Sequence, residues 1–218
     1  NGGNNGGNNG GNNGDPDVGT PDGGNNGGNN GGNNGNPQGN CPIGMASVPA
    51  AGEVAAYCID QYEASRPDAT DQTPGGDSSR ATSRAGVRPW GQVDRDAAAA
   101  ACGAAGKRLC TLDEWQIGCG GPERTYYPYS NSQFEPGRCN NAGAVATTGS
   151  LSACVFEPYG THDMSGNLLE IVDTGEAGIT AVGGSYQDTS SLLLACTNPP
   201  RALSSTPALG FRCCMNAP

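Results

Sequence analysis

Histidine is nearly absent from this chain: His162 is the only one in 218 residues. A single imidazole excludes iron centres built from two histidines and a carboxylate. Close C-x-x-C pairs are missing as well, so the cysteines do not read as a zinc site. No apolar run is long enough to span a bilayer as a helix. Positive charge is scarce, with 11 Lys and Arg against 21 Asp and Glu and a formal net charge of −10. Such a surface repels phosphate backbones and anionic lipid, which argues against nucleic acid or a membrane surface as partner. No signal peptide is legible and the chain starts at Asn1, as expected of a mature form whose export signal has been removed.

Glycine and asparagine dominate residues 1–40, where Val18 is the only large aliphatic. The repeat is G-G-N-N, in one arm over 1–14 and another over 23–35. The turn formers Asp15-Pro16-Asp17-Val18-Gly19-Thr20-Pro21-Asp22 separate them. Two uses are open to such a segment. It has no hydrophobic core, which suits a disordered spacer. Gly also permits close backbone approach and Asn amides can form ladders, which suits ordered self-association with other copies. Residues 41–218 form the remaining, domain-sized segment, long enough for one core.

All ten cysteines lie in that segment: Cys41, Cys58, Cys102, Cys110, Cys119, Cys139, Cys154, Cys196, Cys213 and Cys214. An even count outside the low-complexity arm reads as disulfides, hence an exported protein in an oxidising compartment, extracellular or at a cell surface. Extended segments are expected near 46–49 and 57–64, with a long loop over 66–89. Asp94 is the expected N-cap of a first helix through the alanines of 97–101, ended by Gly106. Thr111 and Glu114 form a capping box for a second helix that stops at Gly120-Gly121. Short apolar pieces at 168–172, 179–182, 192–195 and 208–211 are expected strands. The expected class is α+β, with two short helices, short strands and long loops.

Seven phrases then fall in a familiar order. They are Tyr57-Cys58-Ile59-Asp60-Gln61-Tyr62-Glu63, Ala105-Gly106-Lys107-Arg108-Leu109, Glu114-Trp115, Tyr127-Pro128-Tyr129, Asp163-Met164-Ser165-Gly166-Asn167, Gly183-Gly184-Ser185-Tyr186 and Gly210-Phe211-Arg212-Cys213. From about residue 41 to the C-terminus the chain resembles the sulfatase-modifying-factor family, which includes the formylglycine-generating enzyme. The resemblance implies a variant of the C-type lectin fold. It does not by itself imply catalysis, because function resides in the site.

Enzymes of that family carry two reactive, copper-binding cysteines between the G-G-S-[WY] phrase and the next structural cysteine. Here that stretch is 187–195 and contains none. Neither Asp188 nor Ser190 can replace a thiolate in that chemistry. The expectation is therefore no oxidase activity and no copper. A related branch is associated with non-haem iron, and His162 alone cannot supply its ligands. The family pattern also implies two bridges, Cys102–Cys213 and Cys119–Cys196. Among the other six, Cys41–Cys58 and Cys139–Cys154 are the nearest neighbours in sequence, which leaves Cys110–Cys214.

Calcium is the cofactor the resemblance still implies. The family places it beside a phrase that here reads Gly166-Asn167-Leu168-Leu169-Glu170-Ile171. Asn167 and Glu170 match as hard oxygen ligands, with Asn141 or its neighbour Asn140 as a weaker candidate at a second site. The alternative use of Asn167 and Glu170 is to hydrogen-bond the loop. Asp188, in the loop that replaces the reactive cysteines, is a candidate ligand-binding residue. Tyr126, Tyr127 and Tyr129 suit either a ligand surface or packing. Three functions follow. One is a non-catalytic structural subunit of a surface fibre or other assembly, joined through the Asn/Gly arm. Another is a cell-surface module that binds a glycan or protein. The third, opposed by the missing cysteines, is an oxidase.

Overall fold

The structure, a computed structural model, describes residues 40–204 and 206–218. All of the 1–40 arm except Asn40 lies outside the described residues, and with it the expected turn and self-association.

The first sheet has four short strands. They are β1 (Met45–Val48), β2 (Tyr57–Asp60), β5 (Arg108–Leu109) and the C-terminal β12 (Cys213–Asn216), in the antiparallel order β1-β2-β12-β5. The second holds β8 (Leu169–Ile171), β9 (Ile179–Val182), β10 (Arg201–Leu203) and β11 (Leu209–Phe211), in the order β10-β9-β8-β11. Only β8 and β11 run parallel in it. Two-residue pairs complete the strands: β3 (Ala64–Ser65) with β4 (Thr82–Ser83), and β6 (Val155–Phe156) with β7 (Thr161–His162).

Helix α1 (Arg95–Ala104) begins where the Asp94 side chain accepts the Ala97 N–H at 2.7 Å. It ends because Gly106 adopts φ +72°. Lys107 N–H then reaches back to the Cys102 carbonyl and Gly106 N–H to that of Gly103, the glycine-dependent closure of a helix end. Helix α2 (Leu112–Gly120) carries the Thr111–Glu114 capping box. Its Trp115, Ile117 and Cys119 are buried, and Gly118 leaves room for Ile59, which an added methyl would meet at 2.5 Å.

Two apolar cores result. One gathers Tyr57, Ile59, Trp115, Ile117 and Met164 between α2 and the first sheet. The other gathers Trp90, Ala98, Leu169, Leu209 and Phe211 between α1 and the second sheet. Successive strand residues point to opposite faces, so the adjacent cysteines of β12 serve one core each. Cys213 enters the second core and bonds Cys102 of α1. Cys214 enters the first and bonds Cys110 beside α2. The other disulfides are Cys41–Cys58, Cys119–Cys196 and Cys139–Cys154. Five bridges indicate an oxidising, export-type environment. Among the described residues no helix is long and apolar enough to cross a membrane.

One expected strand is different. Residues Ser191–Leu194 form a 3-10 turn, because only Leu194 enters a core while Leu192 stays 69% exposed. A four-residue run with one inward side chain lacks the alternation that holds a strand in a sheet.

Candidate functional site

The candidate site is built around the Gly183-Gly184-Ser185-Tyr186 phrase, which follows β9. Gly183 (φ +86°) lies against the Met164 carbonyl and the Trp115 ring, where an added Cβ would approach both at 2.9 Å. Gly184 (φ +66°) lies equally close to the Leu193 carbonyl. The two glycines therefore bring the loop over α2 and against the 3-10 turn. Ser185 is buried, and its N–H and Oγ–H both donate to one carboxylate oxygen of Asp188, at 2.8 and 2.9 Å. Arg201 of β10 donates to both oxygens of Asp188 at 3.1 Å. Burial pushes the Asp188 pKa up, but the Arg201 and Ser185 bonds outweigh it and hold the carboxyl below its ordinary range. Asp188 is thus the internal clasp of the 187–195 loop, and its oxygens are turned to the protein.

No free cysteine remains anywhere in the chain, because all ten are disulfide-bonded. Cys196, just past the loop, is joined to Cys119.

Tyr186 is fixed from below, its N–H donating to the Asn167 carbonyl at 2.9 Å. It borders an open cavity of about 490 Å³ that also includes Arg66, Gln72, Arg88, Gln92 and Leu168 in its walls. Arg66 follows β3, and its guanidinium lies 4.4 Å above the Trp90 ring. Arg88 is anchored at both ends: its N–H donates to the Thr70 carbonyl and its Nη1 to the Val145 carbonyl. Composition offered no sign of these residues. Arg66, Gln72 and Arg88 sit in the 66–89 loop, whose fold brings them beside Tyr186.

Asn167 and Glu170 face different partners. Asn167 is buried with φ +57°. Its Oδ1 accepts from Asn140 Nδ2 at 2.9 Å and from Ala146 N–H at 2.8 Å, while its Nδ2 donates to Glu63 at 2.5 Å. Glu170 is fully buried. It takes two bonds of 2.6 Å from Arg212 and a third from the Trp115 indole N–H. A calcium ion needs six to eight convergent oxygens. Here both lone pairs of the single Asn167 Oδ1 are taken and Glu170 is paired with a guanidinium, so the two residues as arranged do not fit that ion. Asn140, rather than Asn141, is the one that reaches Asn167. Among the described residues no group of three His, Cys, Asp or Glu is placed to hold a metal.

Arg212 is the hub of this buried region. Besides Glu170 it donates to the carbonyls of Asp60 and His162, at 2.9 and 2.8 Å. Glu63 and Asp163 lie near enough to act on each other. Burial, and then Asp163, push the Glu63 carboxyl well up. Burial likewise raises Asp163 to about 6, against the Gly149 N–H bond and Arg212, which lower it. His162 stacks on Tyr62 at 5.0 Å, and burial followed by Arg212 lowers its pKa. Of the three tyrosines, Tyr127 is buried and stacks on Tyr129, whereas Tyr126 is half exposed.

An antiparallel and mixed strand framework, two capped helices and a loop-built face define a C-type lectin-like domain. The chain belongs to the family of the sulfatase-modifying factor enzyme 1-like domain, whose pattern matches residues 40–217. Solved structures agree on the fold at low identity. Treponema denticola variable protein 1 matches with a TM-score of 0.51 and 18% identity, covering 75% of this chain and 85% of that one. PvdO from Pseudomonas aeruginosa matches at 0.51 and 15%, covering 81% and 92%. The P3c variant of the Major Tropism Determinant matches at 0.52 and 16%, covering 80% of this chain and 52% of that one. No curated protein matches.

Proposed function

We propose that this chain is an exported, non-catalytic binding module that uses the cavity beside Tyr186. The observation that carries this is the state of the cysteines: every one is bonded to another, and the loop after the G-G-S-Y phrase is clasped by Asp188 and Arg201 instead. Oxidation of a substrate cysteine in this family begins at a thiolate, and this face has none to offer. What it does offer is a concave wall of mixed polar and apolar side chains, of a size typical of small-ligand sites. A tropism determinant among the structural neighbours is compatible with a binding role for such a face.

The test has two arms. The disulfide-bonded chain, incubated with copper, oxygen and a cysteine-containing peptide, is expected to yield no aldehyde. Aldehyde formation would overturn the proposal. On a glycan array the chain is expected to retain ligands that Tyr186→Ala loses; identical profiles for the two proteins would move binding away from this cavity. A second reading, assembly through the Asn/Gly arm, is favoured by the G-G-N-N repeat alone. Fibres or rings in electron micrographs that vanish when 1–40 is deleted would support it, and monodisperse monomers would exclude it.

A further inference from the structure

The cavity beside Tyr186 differs in charge from the chain that forms it. The protein carries −10 overall, yet two arginines and no aspartate or glutamate line this hollow. Six other arginines and Lys107 have a carboxylate within ion-pair distance. Among the described residues Arg66, Arg80, Arg84 and Arg88 have none, and of these four Arg66 and Arg88 line the hollow. Neutral groups hold them instead: Arg66 rests on Trp90 and donates its Nε–H to Ser78 Oγ at 3.2 Å, and Arg88 donates to the Val145 carbonyl. A guanidinium has five N–H donors, so each head keeps most of its donors for another acceptor. Both arginines are half-buried. Burial draws the Arg66 pKa down while Asp68 pulls it back, which marks a charge already partly stripped of water.

The rest of the wall narrows the chemistry. Gln72 and Gln92 are exposed at the rim, and their amides both donate and accept, as a ring of hydroxyls requires. Tyr186 and Leu168 supply flat and apolar surface for the carbon face of a sugar ring. A volume near 490 Å³ lies within the roughly 300–1,000 Å³ range of small-molecule sites. Arginine forks match planar carboxylates and sulfates better than any other side chain.

The geometry points to an acidic saccharide as the ligand of this cavity, its anionic group held between Arg66 and Arg88 and its ring against Tyr186. This deepens the binding role proposed above and rests on it. The experiment is calorimetric titration of the full disulfide-bonded chain with trigalacturonate, its methyl ester, a sulfated trisaccharide and an aspartate-rich peptide. The acid is expected to bind about tenfold or more tightly than its ester, the worth of one charge-assisted hydrogen bond, and to weaken with added salt. Arg88→Gln is expected to remove that advantage. Gln92→Glu, an exposed change at the rim, is expected to weaken the acid by more than it weakens the ester. The sulfated sugar distinguishes which anion is preferred, and tight binding of either anion supports the assignment. Equal affinity for acid and ester, lost in Tyr186→Ala, would leave the binding module standing and overturn the anionic assignment. Tighter binding of the peptide, or no binding of either acidic sugar at millimolar concentration, would overturn the assignment as well.

Discussion

Three carboxylates of this domain are turned inward onto protein partners. Glu170 is taken up by Arg212 and Trp115, Asp188 by Arg201 and Ser185, and Glu63 by the Leu168 and Asn167 N–H groups. Asn167 and Glu170 stand out in the sequence because their spacing beside Gly166 is a family feature and both carry hard oxygens. Their actual partners were not legible. Asn140, Glu63 and Arg212 lie 27 to 104 residues away in sequence, and spacing carries no information on contacts of that range. With these oxygens occupied, calorimetric titration of metal-stripped protein with calcium is expected to show no binding at millimolar levels. Saturable heat that disappears in Glu170→Gln would show that the Arg212 pair opens to admit the ion. The same distance problem hid Arg66 and Arg88, which in sequence are two arginines of a polar loop.

Elements whose signals are local read well from the sequence. Asp94, Gly106, Thr111, Glu114 and Gly121 act within a few residues of themselves, and both helices start and stop where those residues place them. Strands fared unevenly. The pieces around β8, β9 and β11 were legible as apolar runs. β5 and β12 were not, since a two-residue strand has no period and β12 is half cysteine. The 192–195 run reads as apolar enough for a strand, but Ser191–Leu194 turns instead, because its leucines do not share one face. The strand β12 carries a prediction of its own. Cys102–Cys213 and Cys110–Cys214 close nearly the same loop, 111 and 104 residues apart. Removing either pair by Cys→Ser leaves the other closing it, so only the short segment between the bridges is freed. The first removal is expected to cost about 2–3 kcal/mol and the second about 4–5 kcal/mol in the chain-entropy model. Denaturant melts of both double variants and of the quadruple variant measure this, and equal successive losses would contradict it.

At the scale of the molecule, charge buried around Arg212 sets the response to pH. Burial raises Glu63 and Asp163 above their unfolded values, Asp163 to about 6. The folded state therefore holds protons that the unfolded chain releases. This contribution to stability is complete below about pH 4 and is lost as pH rises through about 6. The sign is opposite for Asp188 and Glu114, whose pKa values are lowered; their support is lost as pH falls below the ordinary carboxylate range. Thermal melts are expected to show stability declining from about pH 4 to 7. Asp163→Asn, which can keep the acceptor for Gly149 N–H and suits φ +58°, is expected to flatten that decline by on the order of 2 kcal/mol. A variant with an unchanged slope would place the titration elsewhere.

The proposed binding role requires that every cysteine of this chain serve structure and none serve oxidation. Counting alkylatable thiols in the exported, unreduced protein tests it most directly. Denatured without reductant and treated with iodoacetamide, the chain is expected to gain no carbamidomethyl group by mass spectrometry. A reproducible gain on two cysteines, Cys119 and Cys196 above all, would return a reactive pair to the loop beside Tyr186 and contradict the account.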